Sequence, residues 1–399
     1  MQVTASFADP ALPKLFLEFG LLLIGLGIIA RISRRFDFSA VPFYLLAGLV
    51  MGEGGLYGID PRGILVPTLA ELGVVLLLLL LGLEYSGTQL VETARQQSRS
   101  GLIDLVLNAT PGVAMALILG WGYAGALALG GVTYISSSGI VSQVVRDLRW
   151  RRNPETRPVV SILILEDLVM APYLPILTVV LTGAGLVSGL ISTGIALVVV
   201  AVVILVAVRQ GSWTKRLFGN SQPVGLLLLV FGAAVAAAGI AGLVSFSPAV
   251  AAFLVGLLLT GEVAEVARRR LDPLRELLAA VFFAYFGLST DPADLPAVIL
   301  PALLLAIITI ATKFVTGWYA SGTVDGNTTS RLRAGALLSA RGEFSIVIAG
   351  IAAVSTILPG QFQAFVAAYV LITATIGPVL SRYAEPVGSW WDLRIKGNK

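Results

Sequence analysis

Apolar stretches close to twenty residues long recur from one end of this 399-residue chain to the other, separated only by short polar joints. A helix rises about 1.5 Å per residue, so most of these stretches can cross a hydrocarbon core of about 30 Å. With 57% hydrophobic and 13% charged residues and a mean hydropathy of +0.91, the chain is too apolar for a soluble domain. In lipid every backbone N–H and C=O must find a partner within the chain, which leaves helices or a closed barrel. The long unbroken runs predict an all-α polytopic membrane protein of about thirteen spans, placed at 13–31, 38–52, 65–83, 99–120, 122–146, 157–181, 186–208, 222–241, 246–261, 273–289, 296–320, 332–355 and 361–383.

Basic residues predict the orientation. Of the 27 Lys and Arg, 23 follow the odd-numbered spans and so share one face, among them Arg31, Arg34, Arg146, Arg151, Arg269, Arg331 and Arg394. Cytoplasmic loops keep such residues, so the amino terminus lies outside the cell membrane and the carboxyl terminus in the cytoplasm. The net charge of +4 is then a positive-inside bias, and nothing supports binding of nucleic acid. Trp390 and Trp391, with Arg394 and Lys396, read as an anchor at the cytoplasmic interface.

The chain also repeats itself. Glu71-Leu72 and Gly82-Leu83 in span 3 return as Glu276-Leu277 and Gly287-Leu288 in span 10, 205 residues later. Phe38-Ser39, Gly48 and Gly52-Glu53 in span 2 return as Phe246-Ser247, Gly256 and Gly261-Glu262 in span 9, and Pro172 in span 6 returns as Pro378 in span 13. Spans seven apart run in opposite directions. The expected organisation is therefore a first inverted repeat over 1–181, a connector helix and loop over 182–221, a second inverted repeat over 222–383 and a short cytoplasmic tail over 384–399. Inverted repeats place a substrate site near the bilayer midplane, between parts that rock for alternating access. Resemblance between leucine-rich helices by chance is the competing explanation.

Within that frame Glu166 and Asp167 stand side by side in the middle of span 6. An ionised carboxylate facing lipid at that depth costs at least about 2.5 kcal/mol, so the pair must line a polar cavity and marks a functional site. The chain has no histidine and no cysteine, and intramembrane proton chemistry falls to carboxylates and to Lys313 in span 11. Successive helix residues point about 100° apart, so one acid binds and the other supports. Burial favours a protonated carboxyl and a nearby ammonium favours the ionised one, and at such a site a proton and a cation compete. Lys313 either takes part in that exchange or neutralises Glu166 as a structural pair.

Span 5 carries Ser136-Ser137-Ser138-Gly139 in its middle, and its repeat mate, span 12, carries Ala340-Arg341-Gly342-Glu343. Polar groups and glycine there fit two broken helices that cross, since unwound backbone is tolerated where it is buried in protein or lines a cavity. Close helix packing is the plainer use of Ser and Gly. Arg341 and Glu343, two apart, face different sides and pair with other groups at the crossing. Hydroxyls and free carbonyls are hard oxygen ligands that suit an alkali ion.

These segments, together with Leu80-Leu81-Gly82-Leu83-Glu84, Leu165-Glu166-Asp167-Leu168, Phe246-Ser247-Pro248-Ala249-Val250, Phe283-Ala284-Tyr285-Phe286-Gly287-Leu288, Lys313-Phe314 and Arg341-Gly342-Glu343-Phe344-Ser345, resemble the transmembrane part of the monovalent cation:proton antiporter-2 family, in particular bacterial potassium:proton antiporters of the Kef and Kht type. The resemblance implies a sodium:proton-antiporter-like fold and a homodimer, with a dimer bundle of spans 1–3 and 8–10 and a moving core of spans 4–6 and 11–13. It implies exchange of K⁺, with Na⁺ as a further substrate, for H⁺, with no cofactor and no enzymatic activity. Asp167, Glu166, Ser136, Ser137 and Ser138 become the cation- and proton-binding candidates, and Lys313, Arg341 and Glu343 their charge partners. Regulation would come from a C-terminal nucleotide-binding domain that follows this chain in Kef-type relatives, or from a separate cytoplasmic subunit as in Kht-type systems. Two other readings stay open: an electrogenic Na⁺/H⁺ antiporter, suggested by the paired acids, and an uncoupled ligand-gated cation channel.

Overall fold

The computed structural model describes residues 11–35, 39–52, 65–84, 87–181, 222–243, 247–322, 327–353 and 357–397, with isolated positions between them. The described residues are helical almost throughout: α1 (Ala11–Arg35), α2 (Val41–Met51), α3 (Leu65–Glu84), α4 (Gly87–Ile118), α5 (Gly122–Tyr134), α6 (Ser138–Asp147), α7 (Thr156–Leu181), α8 (Pro223–Leu243), α9 (Pro248–Leu258), α10 (Gly261–Leu288), α11 (Leu295–Gly322), α12 (Thr328–Leu338), α13 (Glu343–Ala353) and α14 (Gln361–Gly397). Counting α5 with α6 and α12 with α13 as single interrupted spans, nine segments among the described residues are long and apolar enough to cross a membrane. Span 7 at 186–208 and the loop that follows it lie largely outside the described residues, as do Phe38, Glu53 and Phe246.

Several helix ends differ from the sequence expectation, each for a local reason. Spans 2 and 9 shrink to 11 residues each, because Gly52 and Leu259 turn to extended backbone and Ser247 with Pro248 starts α9 late. Such helices reach only about 17 Å and must be buried among longer neighbours. Span 10 grows instead, since α10 begins at Gly261, whose φ of +68° suits glycine, and stays helical through Arg268, Arg269 and Arg270. Pairs one turn apart, Arg269 with Glu265 and Arg275 with Asp272, support that charged stretch. At the other end α14 runs unbroken past span 13 and carries half-exposed Trp390 and Trp391.

Packing sorts the helices into two bodies. Leu76, Leu79 and Leu80 of α3 form an apolar cluster with Leu226 and Val230 of α8, Ala252 of α9 and Val263 and Leu271 of α10. A larger cluster joins α4, α5, α6, α7, α11, α12, α13 and α14 and crosses onto the first body through Leu45 of α2, Leu78 and Leu81 of α3, Phe253 of α9 and Phe283 of α10. α1 shows Phe16, Leu17, Leu21, Ile24 and Ile28 on its outer face.

Three glycine contacts follow the repeat offset. A Cβ on Gly48 of α2 would lie 2.0 Å from the Ala284 carbonyl of α10, and one on Gly287 would lie 2.2 Å from the Leu45 carbonyl. The mates of these residues repeat the contact between α3 and α9, where a Cβ on Gly82 meets the Phe253 carbonyl and one on Gly256 meets the Leu79 carbonyl, each at 2.2 Å. Gly112 against Leu129 and Gly317 against Ala334 and Gly335 form a third set, with both members displaced by 205 residues. Backbones this close leave no room for a side chain.

Gly48→Val and Gly256→Val, which set a side chain against backbone in both mates, are therefore expected to abolish the monodisperse species in detergent or to lower its melting temperature by about 10 °C or more. Gly232→Ala, at a helical position with no atom within 4 Å of the added Cβ, is expected to leave melting unchanged. Size-exclusion chromatography with thermal unfolding checks both.

Candidate functional site: a crossing of broken helices beside a buried acid–lysine cluster

Each interrupted span breaks where its sequence turns polar. α5 stops at Tyr134, Ile135 and Ser137 are extended, and the Ser137 hydroxyl caps α6 by accepting from the Ile140 N–H at 3.2 Å. α12 stops at Leu338, and α13 begins at Glu343. The two breaks touch through their backbones: the Ser137 N–H donates to the Ala340 carbonyl at 2.9 Å, and a Cβ on Gly342 would fall 2.5 Å from the Ser137 hydroxyl.

Four half-helix ends thus meet inside the protein, and each carries an uncompensated partial charge. Arg341, fully buried, serves the negative ends: its Nε donates to the Thr133 carbonyl at 3.1 Å and its Nη1 to the Leu338 and Ser339 carbonyls at 2.9 and 3.4 Å. Glu343 serves the positive end of α6, where its carboxylate accepts from the Ser137 hydroxyl at 2.7 Å, the Ser138 hydroxyl at 3.1 Å and the Gly139 N–H at 3.2 Å. Ser345 adds a bond to the Val132 carbonyl at 2.9 Å. Both ionic residues at the break pair with helix ends and hydroxyls.

Glu166 faces the same crossing from α7. Its Oε2 accepts from the Ser136 N–H at 2.6 Å, and its Oε1 from the Ser136 hydroxyl at 2.9 Å and from Lys313 Nζ at 2.6 Å. Both oxygens are committed within the protein. Lys313, fully buried on α11, reaches a second carboxylate as well, Asp104 Oδ1 of α4 at 2.7 Å. Asn108, one turn after Asp104, donates to that same oxygen at 2.9 Å and to Thr316 at 3.1 Å, and accepts from Thr312 at 2.8 Å. The Tyr134 ring completes the surroundings, with Lys313 Nζ 5.8 Å from its centroid.

Asp167 occupies a different place. It is 3% exposed and lines a small cavity of about 10 Å³ with Leu78 and Leu81 of α3, Val250 and Phe253 of α9, Met170 of its own helix and Phe344 of α13. That is the seam between the two packed bodies. A second cavity, of about 550 Å³, lies along the same seam and reaches Ser137, Gly139 and Glu343 at the crossing. Arg34, Arg146 and Arg275 line it too, and all three belong to the basic set that sequence places on the cytoplasmic side.

All eight residues singled out by sequence gather at or beside the crossing. Asp104 and Asn108 were missed, although the signal was present: an acid and an amide four residues apart share one face of an otherwise apolar span. Applying to span 4 the rule that identified Glu166 would have found them. With Asp104 included, the region holds four carboxylates (Asp104, Glu166, Asp167 and Glu343) and two cations (Lys313 and Arg341), one acid more than the sequence count.

Arg341→Gln leaves buried carbonyls at two half-helix ends without their charged donor. Hydrogen bonds from charged groups contribute about 1.5–3 kcal/mol each, so the variant is expected to lose about 3 kcal/mol or more of stability. Thermal unfolding of the purified protein measures this, with Ser345→Ala, expected to lose about 1 kcal/mol, as the smaller member of the series.

Comparison with known proteins agrees with this architecture. The profile of the family described as sodium/hydrogen exchanger, transmembrane, matches residues 20–382. The K(+)/H(+) antiporter subunit KhtU of Bacillus subtilis is 28% identical over 382 residues, covering 94% of each chain. The ammonium/H(+) antiporter subunit AmhT of Alkalihalophilus pseudofirmus is 32% identical over 398 residues, covering 95% of each. Among solved structures, the sodium proton antiporter MjNhaP1 of Methanocaldococcus jannaschii superposes with a TM-score of 0.68 over 94% of this chain and 98% of its own, at 18% identity, a likeness of fold. The chain belongs to the sodium/hydrogen exchanger family, transmembrane.

Proposed function

We propose that this chain is a secondary antiporter that exchanges a monovalent cation for H⁺ across the cell membrane, with K⁺ as the first candidate and Na⁺ and ammonium as further ones. The observation that carries the reading is the division of labour between neighbouring acids. Glu166 spends both oxygens on Ser136 and Lys313, while Asp167 lies buried at the seam between two helical bodies. A carboxylate there holds either a proton or a cation. If only the loaded carboxylate crosses when one body moves against the other, competition for Asp167 couples the two fluxes without further machinery. A pH difference of one unit supplies about 1.4 kcal/mol for the exchange.

The residues divide by role. Asp167 carries the transported ion, and Glu166 with Lys313 supports it electrostatically. Ser136, Ser137 and Ser138 hold the carboxylates of Glu166 and Glu343 in place, and Arg341 and Glu343 keep the crossing together. The two inverted repeats are 1–181 and 222–383, joined by 182–221, and the symmetric glycine contacts support this division. The amino terminus lies outside and the carboxyl terminus in the cytoplasm, so the larger cavity gives the site cytoplasmic access. The apolar outer face of α1 fits lipid or a second copy in a homodimer. KhtU and AmhT are both named as subunits of their antiporters, which supports a separate regulatory partner for this chain.

Asp167→Asn is expected to abolish cation-dependent proton flux in proteoliposomes while leaving a folded protein, and full activity would remove Asp167 from the site. Glu166→Gln is expected to retain exchange with an altered pH profile; complete loss of exchange with cation binding gone would reverse the two roles. Runs with K⁺, Na⁺ and ammonium identify the cation. For the orientation, Arg151→Cys and Arg269→Cys in this cysteine-free chain are expected to react with an impermeant thiol reagent only from the cytoplasmic side. Labelling of either from outside would overturn the assigned topology.

A further inference from the structure

Lys313 has two carboxylates where a neutralising pair needs one. Its Nζ lies 2.6 Å from Glu166 Oε1 on α7 and 2.7 Å from Asp104 Oδ1 on α4, and all three side chains are at most 1% exposed. Asn108 fixes Asp104 through the same Oδ1, and Thr312 and Thr316 of α11 fix Asn108. Asp104 Oδ2 finds no hydrogen-bond partner among the described residues. The antiport reading gives Asp104 no task. A buried carboxylate with one bare oxygen is costly unless a charge nearby compensates it, and the lysine ammonium is the positive group in contact with it.

We propose that Asp104 is a positioning residue for exchange: as the second anchor of Lys313 it keeps the ammonium charged throughout the cycle, so that Asp167 alone trades one proton for one monovalent cation and no net charge moves. This deepens the antiport reading and rests on it. A cation arriving at Asp167 repels the ammonium beside Glu166. With Glu166 as sole partner, Lys313 could relieve that repulsion only by giving up its proton. Asp104 offers another way, because Nζ already touches it and can shift its weight from α7 toward α4 while staying charged. Loss of the lysine proton would also leave the Asp104 and Glu166 carboxylates facing each other in a buried site across a neutral amine, which low polarity penalises. The ionisable groups around Asp104 are Lys313 on α11, Glu166 on α7 and Tyr134 on α5, and Asp167 on α7 also acts on Tyr134.

The test measures proton flux with a pH dye and charge movement on a supported membrane, using the same proteoliposomes and a jump in K⁺ or Na⁺. The wild type is expected to show proton flux with no sustained current. Asp104→Asn, which leaves Lys313 one anchor, is expected to show a sustained current of the sign of excess proton movement together with a displaced pH profile. Asp104→Glu is expected to restore current-free exchange. A sustained wild-type current overturns the proposal, and so does Asp104→Asn exchanging without current and with the wild-type pH profile. Loss of exchange in both folded variants would make Asp104 a structural residue and likewise overturn it. If Asp104→Asn does not fold, the wild-type current and Asp104→Glu still decide. A wild type with no cation-dependent proton flux at all would instead refute the antiport reading.

Discussion

Everything at the centre of this protein depends on satisfying four helix ends that meet inside the bundle. Breaking two spans in mid-membrane frees carbonyls and N–H groups whose partial charges would be costly if left bare. The sequence supplies one cation and one anion two residues apart, Arg341 and Glu343, at the second break. From there they reach opposite-sign ends of the first: Arg341 touches the carbonyl of Thr133, and Glu343 the amide of Gly139. Each break is therefore completed by the other. Ser136 then ties this backbone framework to Glu166, so the position of Glu166 on α7 is set by the crossing and by Lys313.

Close backbone packing holds the crossing in register with the rest. The short helices α2 and α9 have no length to span a bilayer alone, and glycines let each sink against a longer helix from the opposite half of the chain, α2 on α10 and α9 on α3. Dispersion at such contacts, with no hydrophobic force between helices in lipid, supplies much of the cohesion. The same contacts join the first half of the chain to the second within the bundle, so the bundle is a unit made from both repeats.

Much of this was legible in the sequence because lipid makes polarity informative. An acid, a lysine or a serine run inside an apolar span has to be explained, and Glu166, Asp167, Ser136, Lys313, Arg341 and Glu343 all proved to lie within one connected region. Asp104 carries the same kind of signal, an acid four residues from Asn108 within an apolar span. Helix ends were harder for a physical reason. Hydropathy marks where a segment leaves lipid, whereas a helix continues as long as its backbone bonds do, as α10 does through its arginines and α14 past Pro386. What sequence could not supply was which acid each cation chooses, because that depends on contacts between residues more than 140 positions apart, such as Lys313 with Glu166.

The placement of Asp167 follows from the same logic carried one step outward. Residues that hold the crossing together must stay with their own body, and their polar atoms are turned inward to one another. The role proposed for Asp167 calls for a position at a boundary, and the cavity it lines lies between α3 and α9 on one side and α7 and α13 on the other. Adjacent positions on α7 satisfy both needs because a step of about 100° turns Glu166 to the fixed interior and Asp167 to the seam. The apolar partners of Asp167, Leu78, Leu81, Val250 and Phe253, give the seam a surface without hydrogen-bonding side chains. Under the proposed antiport, an apolar surface of this kind suits movement of one body past the other, and an ion held at Asp167 would travel with the body that carries Lys313, Arg341 and Glu343.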